Sequence, residues 1–336
     1  MTDWNNEMEK KILKKSRFTL TVRIVRIFLL GILVYGVYAI ILNVTADRFQ
    51  IAEENDFYTK LALDWKVPNV RGTFNFEEEG ISLLGTTKIS YPLVKKVGKA
   101  DIVIGEADVT KRLSNTNSFI EYHTPGKEQL NDFSFYYPED PRDGKKLLAN
   151  PEPDVWQTLE MLHEGTVGEL ALSTARFMEP EELIEKLEPY DVDILWMQLH
   201  TGEYTDFQPG GSGGGSEDLA VYDGIGLAGT RTTSNDYMSS LLTYELDPSS
   251  IAESKGAMLD NMDKLLSEKS SDYIEFFLGL SNLNARYDYI KENGFTVYGA
   301  VVTGPVKELL KLQDDEVVRG EQLGDVELWN WGEEEE

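Results

Sequence analysis

Residues 27–46, IFLLGILVYGVYAIILNVTA, carry no charge over twenty positions, and the first sixteen are almost wholly apolar. As a helix rising ~1.5 Å per residue, such a stretch covers the ~30 Å hydrocarbon core of a bilayer. On an insertion scale its Ile, Leu, Val and Phe side chains favour entry by roughly 3 to 7 kcal/mol. No other apolar run in the sequence approaches this length. The chain is therefore expected to be divided by a lipid bilayer, with 27–46 as its single transmembrane helix. Val44, Thr45 and Ala46 have the small-residue character of a signal-peptide cleavage site. The long basic lead and long apolar core exceed signal-peptide proportions, which favours an anchor.

Charge predicts the orientation. Residues 1–26 hold seven Lys or Arg against three acids, whereas residues 47–336 hold 25 basic against 56 acidic residues. A short basic flank touching an apolar span stays in the cytoplasm, so the N-terminus is expected inside and the acidic bulk outside. The overall charge of −27 argues against nucleic acid, which needs clustered Lys and Arg on its phosphates. With no cysteine, the chain has no disulfide, thiolate metal site or thiol chemistry.

In residues 1–22, Trp4, Met8 and Ile12 fall at four-residue steps on one helical face, and Glu7 and Lys11 form a favourable i,i+4 pair. Two readings stay open here: a charged stop beside the membrane, or a docking helix whose Trp4–Met8–Ile12 face fits a cytoplasmic partner. Residues 47–150 read as a β-rich membrane-proximal domain. Its short strand-like runs are 62–67, 70–76, 81–84, 86–91, 101–109 and 133–137, after a possible helical stalk over 47–63. The Pro-rich stretch at 150–154 marks a domain boundary.

Over 151–331 the pattern changes. A helix is predicted at 155–162, a strand at 165–173, a helix at 180–187 with Pro180 at its start, and a strand at 191–200. Helices are expected next near 234–246, 255–269 and 282–293, the last ended by Gly294. A strand at 295–303, a helix at 305–312 and strands at 316–320 and 325–331 repeat the order. Two strand–helix–strand units predict an α+β protein whose second domain is an α/β sandwich, ferredoxin-like in its units. Residues 332–336 read as an acidic tail.

Motifs that could carry chemistry are better read structurally. Gly210 to Gly214 fits G-x-S-x-G but lies in a Gly/Ser loop with no strand leading in. Gly224 to Gly229 fits G-x-G-x-x-G, yet the next residues, TRTTSND, do not open a helix at once. His123, His163 and His200 are far apart and read as surface or loop histidines, with His200 and Glu203 a conceivable ligand pair. Glu77, Glu78 and Glu79 lack the spacing of a Ca²⁺ loop. Trp196, Tyr298, Trp329 and Trp331 fall on predicted strands. Core packing is the default for them, and an exposed aromatic binding patch is the alternative.

Several ordered blocks now combine: GTVGELALS at 165–173, PEELIEKL at 180–187, YDVDILW at 190–196, Arg286, Tyr289, ENG at 292–294, VYGAVVTGPVKEL at 297–309, Gly324 and VELWNW at 326–331. Together they resemble the membrane-bound anti-sigma factors of the sigma-factor-regulator family of Gram-positive bacteria. The basic lead and single span resemble that family's membrane-proximal module. The resemblance implies a membrane regulator of an extracytoplasmic-function sigma factor, with no catalytic residue, cofactor or metal. Family members hold the sigma factor with cytoplasmic sequence, and only about 22 residues precede the membrane here. The expectation is therefore a sensor half with a reduced or missing grip, the sigma factor being held by the short helix or by a membrane companion protein. A tethered extracytoplasmic enzyme or ligand-binding protein is the competing reading.

Overall fold

The structure is a computed structural model describing residues 6–112, 117–126, 130, 133–215, 217–235, 237, 239–329 and 331. Helix α1 (Asn6–Arg48) runs unbroken for 43 residues, a length of about 65 Å. From Ile27 to Ile41 its large apolar side chains are 47–71% exposed. Among the described residues it is the one helix long and apolar enough to cross a membrane. Gly31 and Gly36 have open space around them, so neither is required by a close approach within the chain.

At Gln50 the backbone turns left-handed, with φ 47° and ψ 45°, and helix α2 (Ile51–Lys66) begins. The ladders hold up to the bend: Phe49 N donates to Thr45 O at 3.1 Å and Glu54 N to Gln50 O at 2.9 Å. The predicted strand at 62–67 is thus the last turn of a helix. The stalk reading caught the helix but not its burial, since α2 is a core element with Tyr58, Leu61, Leu63 and Trp65 at 0–3% exposure.

A first antiparallel sheet comes next, built from β1 (Val70–Gly72), β2 (Glu77–Glu79), β3 (Thr86–Val97), β4 (Ala100–Arg112) and β5 (Phe119–His123). Its order is β1-β3-β4-β5, with β2 also on β3. Of the runs predicted here, 81–84 lies in the β2–β3 loop, and 133–137 is no regular strand: among the described residues its one β-bridge is Tyr136 with Ala220.

Helix α3 (Val155–Met161) leads into β6 (Thr166–Met178), α4 (Pro180–Leu187) and β7 (Asp193–His200). Then come the short pair β8 (Ser212–Gly213) and β9 (Ala220–Val221), the strand β10 (Gly226–Ala228), and the hairpin of β11 (Arg231–Thr233) and β12 (Ser240–Leu242). Helices α5 (Ile251–Glu268) and α6 (Leu283–Asn293) precede β13 (Thr296–Pro305), α7 (Val306–Lys311) and β14 (Val318–Leu328). The second sheet is antiparallel in the order β10-β7-β13-β6-β14. The units β6-α4-β7 and β13-α7-β14 interleave in it as β7-β13-β6-β14, the ferredoxin-like arrangement. The helix expected near 234–246 is instead the β11–β12 hairpin. Its polar turn bonds to itself, Tyr237 N to Ser234 O at 2.9 Å and Ser234 N to Ser239 O at 2.8 Å, and so competes with a helical ladder.

Strand alternation fills both faces of the second sheet. On β6, Leu170 and Leu172 enter a large cluster that runs from Ala52 to Val317, while Ala171 enters a smaller one with Phe135, Tyr137, Trp196 and Tyr298. Trp196 and Tyr298 are therefore 1% and 0% exposed, so neither belongs to an exposed aromatic patch. Each is held by rings, Trp196 by Phe135 at 5.4 Å and Tyr298 by Tyr137 at 4.4 Å. The glycines of 224–229 serve this packing. A Cβ on Gly226 would run into the Trp196 indole, and one on Gly229 into the Thr243 carbonyl.

Candidate functional site

The element that follows α1 directly and carries it into the core is α2. Asp56, Lys60 and Asp64 stand at four-residue steps on one face of it, all at most 8% exposed. A charge survives such burial only if paired. Lys60 Nζ donates to Asp56 Oδ2 at 2.7 Å and lies 4.7 Å from the centre of the Tyr91 ring. Arg231 Nε donates to Asp64 Oδ2 at 2.5 Å, its Nη2 to Asp64 Oδ1 at 3.2 Å and also to Gly72 O at 3.1 Å. Arg71 Nε is 3.7 Å from Asp64 Oδ1, and its Nη2 donates to Gly229 O at 2.6 Å. Trp196 Nε1 donates to Asp64 O at 3.0 Å. One aspartate thus joins α2 to β1, β7 and β11, which belong to three different sheets.

Other bonds fix the N-terminal half of α2. Tyr58 OH donates to Glu268 at 2.9 Å, Tyr273 OH donates to Asn55 at 2.8 Å, and Lys269 pairs with Glu54 at 2.6 Å. Beside them lies a cavity of about 200 Å³ lined in part by Asp56, Lys60, Phe74, Arg231 and Tyr237. Burial pushes the Asp56 carboxyl up to about 6, with Lys60 opposing it, and burial lowers Lys60 to about 8.

A second knot joins the two large sheets. Glu169 of β6 is fully buried and meets Lys95 of β3 at 2.5 Å. Asn69 Nδ2 donates to its other oxygen at 2.7 Å, and Asp325 lies 3.0 Å from the same lysine. The room for this carboxylate comes from Gly324, since a Cβ there would strike Glu169 Oε2. Gly324→Ala is therefore expected to cost about 2 to 3 kcal/mol, overpacking being compounded by a displaced ion pair. Urea unfolding of the full chain in detergent, followed by tryptophan emission, reads it. A cost below about 0.5 kcal/mol would mean that the knot yields freely. Nearby, Lys99 pairs with Asp193 at 2.6 Å and caps the Trp331 ring at 4.3 Å, while Trp331 Nε1 donates to Asp191 at 2.9 Å. Trp331 is half-buried and Trp329 is 52% exposed.

The third knot lies at the far end of β7. Arg286 of α6 is fully buried and forms a charged pair with Glu203, which is 1% exposed. Arg286 Nη1 also donates to Thr201 Oγ1 at 2.7 Å, and its Nε donates to Ser281 O at 3.0 Å. Glu203 further accepts from Thr201 N at 2.7 Å and Tyr137 OH at 3.2 Å, and lies 3.2 Å from His200 Nδ1. His200 is thus 6% exposed, not a surface histidine, and its contact with Glu203 is part of a network of bonds. His123 and His163 are exposed. Among the described residues no three His, Asp or Glu converge as they would around a metal ion.

Burial pushes Glu203 up, but the His200 hydrogen bond and the Arg286 charge outweigh it and hold the carboxyl down at about 2. A lowered acid stabilises the fold above its unfolded value, and that contribution is lost as pH falls through the folded one. Glu203 should therefore contribute about 3 kcal/mol at neutral pH, lost between about pH 4.5 and 2. Asp56 has the opposite sign: its contribution is complete below 3.8 and is lost as pH rises through about 6. Denaturation of Glu203→Gln beside the parent should give curves that converge near pH 2. A constant gap across that range would contradict the pairing.

Of the candidate partner face, Met8 and Ile12 are 69% and 60% exposed on α1, and Trp4 lies outside the described residues, as does the Glu7 side chain. The tail at 332–336 also lies outside them. Reading the sequence missed the α2 knot. The signal was present as Asp56, Lys60 and Asp64 at helical spacing among Phe57, Leu61 and Trp65. Their partners, however, come from strands far along the chain.

Two family models match this chain. That described as sigma factor regulator N-terminal covers residues 10–102, and that described as sigma factor regulator C-terminal covers residues 159–325. The Asp64–Arg231 and Lys95–Glu169 pairs join one matched region to the other. The chain is also similar to a protein of Bacillus subtilis (strain 168) named "Probable anti-sigma-M factor YhdL", 27% identical over 268 residues. That match spans 79% of this chain and 66% of the relative. No solved structure matches the chain.

Proposed function

The chain belongs to the sigma factor regulator family, and from that premise we propose that it is a single-pass membrane regulator that restrains a sigma factor. The basic end of α1 faces the cytoplasm and the acidic body lies outside, in keeping with the charge asymmetry across residues 27–46. The body binds an envelope ligand or a membrane partner. Its output leaves through α1 to the cytoplasmic turns that carry Met8 and Ile12, which hold the sigma factor directly or through a companion membrane protein. The action is binding and sequestration, with no catalytic residue.

The observation that carries this reading is the joint at Phe49 and Gln50. An unbroken 43-residue helix enters, after two residues, a buried helix bonded to three sheets. A shift of those sheets against one another moves α2, and α1 moves with it. Taking such a switch from 1:99 to 99:1 needs about 5.5 kcal/mol of differential binding, within reach of one protein partner. Deleting the gene should raise transcription from the promoters of the cognate sigma factor. The full chain, cross-linked in its host membrane, should carry the sigma factor or its companion, and Met8→Glu with Ile12→Glu should lose that capture. No transcriptional change together with no captured partner would leave a tethered binding protein instead.

A further inference from the structure

Beside α1 lies a second apolar element that the sigma-factor reading does not use. The loop between β2 and β3 projects past their last pair, Glu79 with Lys88, and carries Leu83 and Leu84 at its tip, 38% and 85% exposed. It runs back along α1. Gly80 lies beside Asn43, and Tyr38 OH donates to Leu83 O at 3.0 Å. Tyr38 is well inside the uncharged stretch 27–46, eight residues or ~12 Å from its end. Whatever bonds to Tyr38 shares its depth.

We propose that residues 80–85 form a second membrane-embedded element, with Leu83 and Leu84 among the acyl chains of the leaflet on the body's side. A loop enters hydrocarbon only if its backbone polar groups find partners, and much of this tip is so provided. Ser82 N donates to Thr86 O at 2.8 Å, Gly85 N to Ser82 O at 2.8 Å and Thr86 N to Ser82 Oγ at 3.1 Å, while Tyr38 takes Leu83 O. Gly85, at φ +70°, allows the tight turn. The tip itself is uncharged, and Arg112, opposite Thr86 on β4, is long enough to reach the headgroups from beside it. Glu79 and Lys88, 3.3 Å apart, lie about four strand residues or ~13 Å back from Leu83, level with the end of the apolar run and so with the headgroups. The body then grips the bilayer at two points, and lipid packing acts directly on β3, the strand that carries Lys95.

The inference rests on α1 crossing a bilayer, not on any sigma factor. Because the chain has no cysteine, single-cysteine variants of the full chain can each carry one environment-sensitive fluorophore. Leu84→Cys reports the tip, Val34→Cys the membrane helix and Leu148→Cys, 62% exposed, the body. In phosphatidylcholine vesicles with acyl chains brominated at mid-chain, the Leu84→Cys label should lose emission as the Val34→Cys label does and resist aqueous iodide. The Leu148→Cys label should do the reverse. A Leu84→Cys label quenched by iodide and untouched by bromine, with Val34→Cys still quenched by bromine, overturns the embedded tip and leaves the membrane helix standing. Loss of bromine quenching at Val34→Cys as well overturns the spanning helix itself.

Discussion

Asp64→Ala is expected to remove about 3 to 5 kcal/mol of stability, the cost of leaving a buried charge without its partner. Arg231 and Arg71, 5% and 4% exposed, would both lose the carboxylate that faces them. The loss falls where α1 joins the body, so it should also release regulation. The reporter that rises on gene deletion should rise with Asp64→Ala at an unchanged amount of protein in the membrane. Trp196→Phe is the graded control. It removes the 3.0 Å bond to Asp64 O and the part of the indole that packs against Gly226, and should cost about 2 to 3 kcal/mol while leaving every charge paired. Chemical denaturation of the full chain, alongside the reporter and an immunoblot, separates the two. An Asp64→Ala protein as stable as its parent would show that α2 is not the element binding the sheets together.

Arg286→Met should be comparably damaging, by about 3 to 5 kcal/mol, although it acts just past the C-terminal end of β7. The methionine fills much of the space but leaves Glu203 charged at 1% exposure. Its remaining partners, Thr201, Tyr137 and His200, are a hydroxyl, a phenol and an imidazole, which bond the carboxylate but do not replace the guanidinium. Combining Arg286→Met with Glu203→Gln removes both charges. The double variant should recover at least about 1 kcal/mol over the sum of the singles, the mark of coupled sites. Strict additivity would mean that the two act independently and that the pair contributes little. Because neither Arg286 nor Glu203 bonds to α2 among the described residues, loss of this knot should lower stability without the selective release expected of Asp64→Ala.

Much of the second sheet is legible from sequence because its strands follow local rules. The helix predicted over 180–187 is observed with those bounds, started by Pro180, and the order strand, helix, strand recurs as expected around 305. Reading failed where local signals carry the wrong sign. Residues 62–67 look like a strand because they are apolar in a short run, yet they complete a helix whose buried surface extends nearly all round. The hairpin at 231–242 looks helical in spacing, yet its Ser and Thr side chains bond to the turn. Trp196 and Tyr298 could not be placed as core or patch by alternation alone. Their burial depends on Phe135 and Tyr137, which cross the sheet from a segment with almost no strand pairing of its own.

By itself the sequence determined that one helix is long and apolar enough to span a bilayer, that opposite charge flanks it, and that two strand–helix–strand units come after it. Each of these depends on neighbours within a turn or two. Only the tertiary structure decided which charges lie in the interior. Asp64 with Arg231, Lys95 with Glu169 and Arg286 with Glu203 come together across long stretches of chain. Whether a charged residue is solvated or becomes a joint depends on the distance to its partner and on the exclusion of water between them. Neither quantity exists until the chain has folded.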